Sequence, residues 1–168
     1  MPTKSEIAEL YIEAENSRNF AIMKPYVTEN FVYQHHDGPK FGWERHGLDS
    51  MQDHTDKIMI PIIPDRRTTI RRLIESENEV WLLIDVKATI TGKVDFGDYV
   101  DSNREPTNRA FHDIGLLIFE FKRDKLDKTL SFPSVFDAML KMNIIKFVDS
   151  NDDLKSYRKF LKDKGIIT

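Results

Sequence analysis

The chain has 168 residues and a formal charge of −3, with no cysteine, 40% hydrophobic residues and 32% charged ones. That length suits one domain with a real core. The missing thiols exclude disulfides, thiol nucleophiles, Fe–S clusters and cysteine-rich zinc sites, and suit a reducing cytoplasm. The charge argues against nucleic acid as the main partner, because phosphate binding needs a basic face.

No apolar run reaches the ~18–20 residues of a membrane span. The opening MPTKSEIAEL is polar and helical at once, unlike a signal peptide. Thr3 and Glu6 have capping-box spacing. Ile7, Leu10, Tyr11 and Ala14 then recur at helical spacing, which predicts a helix from about Thr3 to Arg18. Asn19 caps a shorter helical segment carrying Phe20, Met23 and Val27, weakened by Pro25. Phe31–His36 reads as a short strand and DGPKFGWERHG after it as a loop. A further helix is expected over Gly47–Lys57, with Met51, His54 and Ile58 on one stripe. Pro61 and Pro64 forbid its continuation.

Two strands follow, Thr68–Glu75 and Glu79–Thr91, joined by a tight turn at Ser76–Asn78. The second is apolar on both faces in its first half, which implies helices inside and a partner subunit outside. Gly92–Thr107 reads as a loop that could cover a pocket mouth. Asn108–Phe136 reads as a long hairpin with a charged turn at Lys122–Lys125 and a short helix opening after Pro133. Short helices are expected around Phe136–Leu140 and over Asp152–Lys164, the last stopped by Gly165. Helices followed by a strand meander predict an α+β fold: a curved antiparallel sheet wrapped around N-terminal helices to form a cone-shaped pocket, in a single domain over 1–168 with a C-terminal helical extension from about 133.

Three segments carry a family resemblance: Gly47–Asp65 (GLDSMQDHTDKIMIPIIPD), Lys125–Ile144 (KLDKTLSFPSVFDAMLKMNI) and the closing GIIT. With the element order they resemble the nuclear-transport-factor-2-like fold shared by SnoaL-like polyketide cyclases and ketosteroid-isomerase-like proteins. Within it they are most similar to the phenazine-biosynthesis A/B family. The resemblance implies a homodimer through the sheet and acid–base chemistry on a small hydrophobic or cyclic ligand, without a cofactor. The family's pocket histidine falls on His54. Its glutamate falls on Ser131, which has no carboxylate, so the phenazine-forming reaction does not carry over.

The chemistry-bearing residues follow. His54 titrates near neutrality and lies on an inward stripe; a core histidine bonded to backbone is the plainer alternative. Asp113 shares a strand face with Phe111, Leu117 and Phe119, where desolvation would raise its pKa; a strand-end aspartate facing water is the alternative. Asp85, alone in the run VWLLIDVKA, either pairs with Lys87 on one face or turns inward as a partner for His54. Tyr33, His35 and Trp43 are candidate ligand contacts at the mouth, and Met51, Phe111, Leu117, Phe119 and Ser131 candidate walls and floor. His35-His36-Asp37 lacks metal-ligand spacing, so no metal is expected. The Arg66-Arg67 and Arg71-Arg72 pairs read as solvated strand faces.

The reading is a small cofactor-free enzyme of the isomerase, cyclase or dehydratase kind. A carrier that has lost catalysis and a dimeric interaction module are the alternatives.

Overall fold

The computed structural model describes residues 2–36, 43–93 and 108–132. The expected helical extension beyond 133 and most of the Gly92–Thr107 loop lie outside these residues. Helix α1 (Lys4–Ser17) starts at the Thr3/Glu6 capping box and stops where Arg18 turns left-handed, with φ 60°. A 3₁₀ segment (Phe20–Tyr26) accommodates Pro25 and leads into strand β1 (Val27–His35). Strand β2 (Trp43–His46) follows, within a stretch expected to be loop. Helix α2 (Gly47–His54), a π-helical stretch (Thr55–Met59) and the short helix α3 (Ile60–Ile62) form one continuous rod. Strands β3 (Arg67–Glu75), β4 (Glu79–Thr89), β5 (Ala110–Lys122) and β6 (Lys125–Phe132) complete the sheet.

The rod differs from expectation in two ways. Its bonding shifts at Ile60, whose N–H reaches back five residues to Thr55, so Pro61 sits in a last helical turn instead of ending the helix. The wider winding also breaks the stripe that began at Met51. Met51 is buried, while Ile58 is exposed.

The sheet order is β2-β1-β6-β5-β4-β3. Its pairings are antiparallel except β1 with β6, which run parallel. Short turns force the antiparallel sense only on strands adjacent in sequence; β1 and β6 are joined by a long crossover and are free of that rule. The β5–β6 turn places Arg123 and Asp124 both at positive φ, 52° and 63°. This is the sense that matches strand twist in a two-residue hairpin.

The core lies between α1 and the concave face. Tyr11 meets Phe119 and Phe20 edge-on, with ring centroids 5.1 and 5.6 Å apart. Ile7, Ala8 and Ala14 of α1 close on Val80 and Leu82 of β4 and on Leu126 of β6. A smaller cluster of Ile63, Ala88 and Ile90, with Phe111 against it, fills the end of the sheet near α3.

On the convex face Ile74, Trp81, Ile114 and Phe132 remain exposed. Ile74, Trp81 and Ile118 are successive partners across three strands, so these side chains form rows.

Gly92 fixes the approach of the β4 end to α3. A Cβ there would stand 2.0 Å from the Pro61 carbonyl oxygen and 2.8 Å from Ile62 Cα. Both obstacles are backbone, which cannot swing aside. Gly92→Ala is therefore expected to destabilise the fold by about 1–3 kcal/mol, read as a lower urea midpoint with an unchanged m-value.

Candidate functional site

Cross-strand register assembles one end of the concave face. Tyr33 pairs with Arg45 on β2 and with Thr129 on β6; His35 pairs with Trp43 and with Ser131. Thr129 continues to Phe119, and Ser131 to Leu117, on β5. Directly paired residues share a sheet face, so these two rows place Tyr33, Arg45, His35, Trp43, Thr129 and Ser131 together. His54 joins them from the end of α2, its ring 4.7 Å from that of Trp43.

Trp43 is the hub. His35 stacks on it at 4.7 Å and 11°, and the Arg45 guanidinium lies over its ring at 4.7 Å. Its ring is thus engaged by protein groups, an arrangement that orients the two histidines more directly than it offers a platform for a ligand.

Both imidazoles have Nδ1 atoms that are buried and without a hydrogen-bond partner. Burial lowers the pKa of His54 to about 4, with Arg45 and then Arg66 adding to the effect. Burial likewise lowers His35 to about 4, helped by His54 and His36. At neutral pH each ring is uncharged and presents one donor and one lone pair.

Deeper in, the Tyr11 and Thr129 hydroxyls are neighbours, yet neither meets hydrogen-bond geometry. Burial raises Tyr11 well above its ordinary value and Tyr33 to about 12; the Ser131 hydroxyl beside Tyr33 works the other way. Buried polar atoms without partners are uncommon. Among the described residues the atoms of this kind are His35 Nδ1, His54 Nδ1, Tyr11 Oη and Thr129 Oγ1; the two imidazoles sit beside Trp43 and the two hydroxyls lie deeper in the core.

An ion pair borders this group. Arg66 Nη1 stands 3.0 Å from Glu15 Oε1, with both side chains largely buried. Glu15 also accepts from the Thr68 hydroxyl at 3.0 Å. Burial pulls the Arg66 pKa down, but Glu15 outweighs it and the net shift is upward. The expectation that Arg66 is a solvated strand residue is thus corrected: it precedes β3, and α1 brings a carboxylate to it. A signal was present, since Glu15 lies four residues beyond Tyr11 on the buried side of α1.

The remaining candidates separate by strand parity. Asp113 is buried, with Val86 and then Thr68 as its partners across β4 and β3, so its carboxyl belongs to the concave face. Leu117, Phe119 and Met51 are buried in the main core, and Tyr11 packs against Phe119. Ser131 is buried at the floor between His35 and Leu117. Phe111 belongs instead to the small cluster near α3.

Asp85 faces the other way. It takes Arg71 through Nε and Nη2, both at 2.8 Å, and His112 at 2.5 Å. Arg71, then His112, hold its carboxyl below the usual range. A partnership of Asp85 with His54 is thereby removed, and the expected pairing with Lys87 gives way to Arg71 and His112. Among the described residues no carboxylate bonds His54, and no group of three or more His, Asp or Glu could hold a metal ion.

The two lowered histidines tie stability to pH. Folded-state values near 4 lie below the ordinary 6.5, so between these values the unfolded chain binds more protons. Stability contributed by the neutral rings is present above about pH 6.5 and is lost as pH falls toward 4. A His35→Gln/His54→Gln double variant should show a flatter decline in urea midpoint over that window than the parent.

Among curated proteins, none matches the sequence. Solved structures match in shape. AclR from Streptomyces galilaeus superposes with a TM-score of 0.64 at 14% identity, covering 96% of this chain and 93% of its own. A protein from Catenulispora acidiphila with a ketosteroid isomerase-like fold, in complex with trimethylamine, gives 0.65 at 12%, covering 84% and 95%. A SnoaL-like polyketide cyclase from Agrobacterium tumefaciens gives 0.58 at 18%, covering 83% and 99%. At such identities these likenesses speak to the fold, which is the α+β, nuclear-transport-factor-2-like one. The SnoaL-like domain model matches residues 8–127, and the chain belongs to that family.

Proposed function

We propose that the chain is a cofactor-free enzyme of the cyclase, isomerase or dehydratase kind, acting by general acid–base catalysis on a small hydrophobic or cyclic oxygenated molecule at the concave face. The observation that carries this is His54: a neutral imidazole with a buried, unpartnered Nδ1, held at the end of a helix against Trp43. The π-helical stretch that begins at the next residue adds support, since such irregular turns recur at functional sites.

In this reading His54 takes a proton from carbon beside a carbonyl and returns it elsewhere on the ring system. A pKa near 4 makes the resting imidazole a weak base. Negative charge developing on the substrate oxygen raises its proton affinity as the reaction proceeds. Tyr33, kept protonated by burial, serves as a hydrogen-bond donor to that oxygen. Asp113 is the second acid–base group.

The absence of a carboxylate bonded to His54 among the described residues, with Ser131 where the phenazine A/B family has glutamate, favours a second reading: a binding or carrier protein with the same site. The two part on one experiment. Cyclic ketones that raise Tm are incubated in D₂O, and loss of the proton beside the carbonyl is followed by NMR. Catalysis predicts that His54→Ala lowers the exchange rate by about 10²–10⁴-fold while the Tm shift survives, with a smaller loss for Asp113→Asn. Binding without exchange in the parent protein leaves the carrier.

We further propose a homodimer through the convex face, on the exposed rows around Ile74, Trp81, Ile114 and Phe132. Sedimentation should then give a dimer for the parent and a monomer for Trp81→Glu/Ile114→Glu. A monomeric parent overturns this assembly.

A further inference from the structure

The rod that carries His54 is fastened at both ends. Near its start Leu48 and Met51 enter the main core. The Gln52 amide there accepts from the Phe20 backbone N–H and donates to the Arg18 carbonyl oxygen, each at 3.0 Å. At its finish the Ile62 carbonyl oxygen accepts from the Thr91 and Gly92 N–H groups, at 3.0 and 3.2 Å, and Ile63 packs with Ala88 and Ile90. Between these fastenings the chain has one residue more than straight winding needs. In an unbroken α-helix the residue seven after Met51 returns to its face. That residue is Ile58, which is 41% exposed, while Met59 packs inward on the cluster of Ile63. The surplus residue is held in the π-helical stretch Thr55–Met59, where the Ile60 N–H reaches the Thr55 carbonyl oxygen. His54 is the last residue before it.

We propose that Pro61 is the positioning residue of His54: it pins the surplus residue to the turn just ahead of itself, and so keeps His54 in regular α-helix and aimed at Trp43. A proline has no N–H, and its ring collides with the carbonyl four residues back when the winding is α-helical. For Pro61 that carbonyl belongs to Lys57, and a wider turn over Thr55–Met59 spares the collision. With alanine at 61 the wide turn is free to settle elsewhere between Gln52 and Ile62. Moved back by one or two residues, it takes in His54. One residue of surplus corresponds to about 100° of rotation on a helix of 3.6 residues per turn, enough to turn the imidazole away from Trp43. Pro61 is itself exposed, so it acts through the backbone and its replacement leaves the core untouched. Its meaning for catalysis rests on the reading of His54 as the acid–base group.

The test compares three proteins by NMR: the parent, Pro61→Ala, and Pro61→Ala with Ile58 deleted. The parent should show a nuclear Overhauser contact between the His54 and Trp43 rings, whose centroids are 4.7 Å apart. In Pro61→Ala, which keeps a strong helix former at an exposed position, that contact should be lost while the one between Tyr11 and Phe119 persists. An imidazole that leaves the site is rehydrated and moves away from Arg45, so its titration midpoint should rise from about 4 toward 6.5. Deleting Ile58 removes the surplus residue, leaves no wide turn to migrate, and should restore both the contact and the low midpoint. A parent without the ring contact, or a Pro61→Ala protein that matches the parent in contact and midpoint, overturns the positioning role. So does a folded deletion variant that restores neither. Should the deletion prevent folding, Pro61→Ala decides alone. Each of these outcomes leaves the acid–base reading to the D₂O exchange experiment, whose failure in turn leaves the aim of His54 as the NMR finds it.

Discussion

The structure depends on how the end of α1 is fastened to the edge of the sheet. Strand β3 is outermost, and an outermost strand leaves backbone donors and acceptors open. At Thr68 the Asn16 side chain closes both, accepting from the backbone N–H and donating to the carbonyl oxygen at 2.8 Å each. Glu15, one residue earlier, binds the Thr68 hydroxyl and Arg66. At the other end of the same edge, the Ser5 backbone N–H and hydroxyl both donate to Glu75, and Lys4 reaches the Glu77 carbonyl oxygen. The helix thus substitutes for a missing strand. Its apolar side is drawn over the concave face, where Tyr11 seats against Phe119. The polar lining of the site exists because this docking brings a carboxylate and a guanidinium indoors together.

Much of this was legible in the residues. The capping box, the hairpin turns and the long strand around Phe119 follow from local rules of spacing and turn composition, and local rules are enforced wherever the chain goes. The SnoaL-like assignment rested on the same order of elements. What could not be read locally depended on partners distant in sequence. Strand β2 is only four residues long and exists by pairing with β1; nothing in WERH demands a strand. Arg66 needed a helix some fifty residues earlier before it became an interior group.

Asp85 is a different case, because the strand itself held the answer. Val80, Leu82, Ile84, Val86 and Ala88 form an unbroken apolar set on alternate positions, whereas Trp81, Leu83, Asp85 and Lys87 mix polar and apolar residues. The unbroken set is the buried one. Trp81 and Leu83 on the mixed set obscured that parity; on the convex face Trp81 is exposed and Leu83 half-buried. His54 was visible as a residue type on a helix; that no carboxylate among the described residues bonds it was not, since partners belong to the assembled fold.

The single parallel pairing sets when the site can come into being. His35 lies beside Ser131, and Tyr33 beside Thr129, each pair separated by almost a hundred residues of chain. Bringing such distant segments together costs loop-closure entropy before any contact offsets it, and contacts of this range slow folding. The meander of β3, β4 and β5 can form from neighbours, but one wall of the site and its floor meet only at the closing of this last seam. The concave site is therefore a late product of folding: a ligand that needed both walls would recognise the finished protein and pass over forms in which this seam is still open.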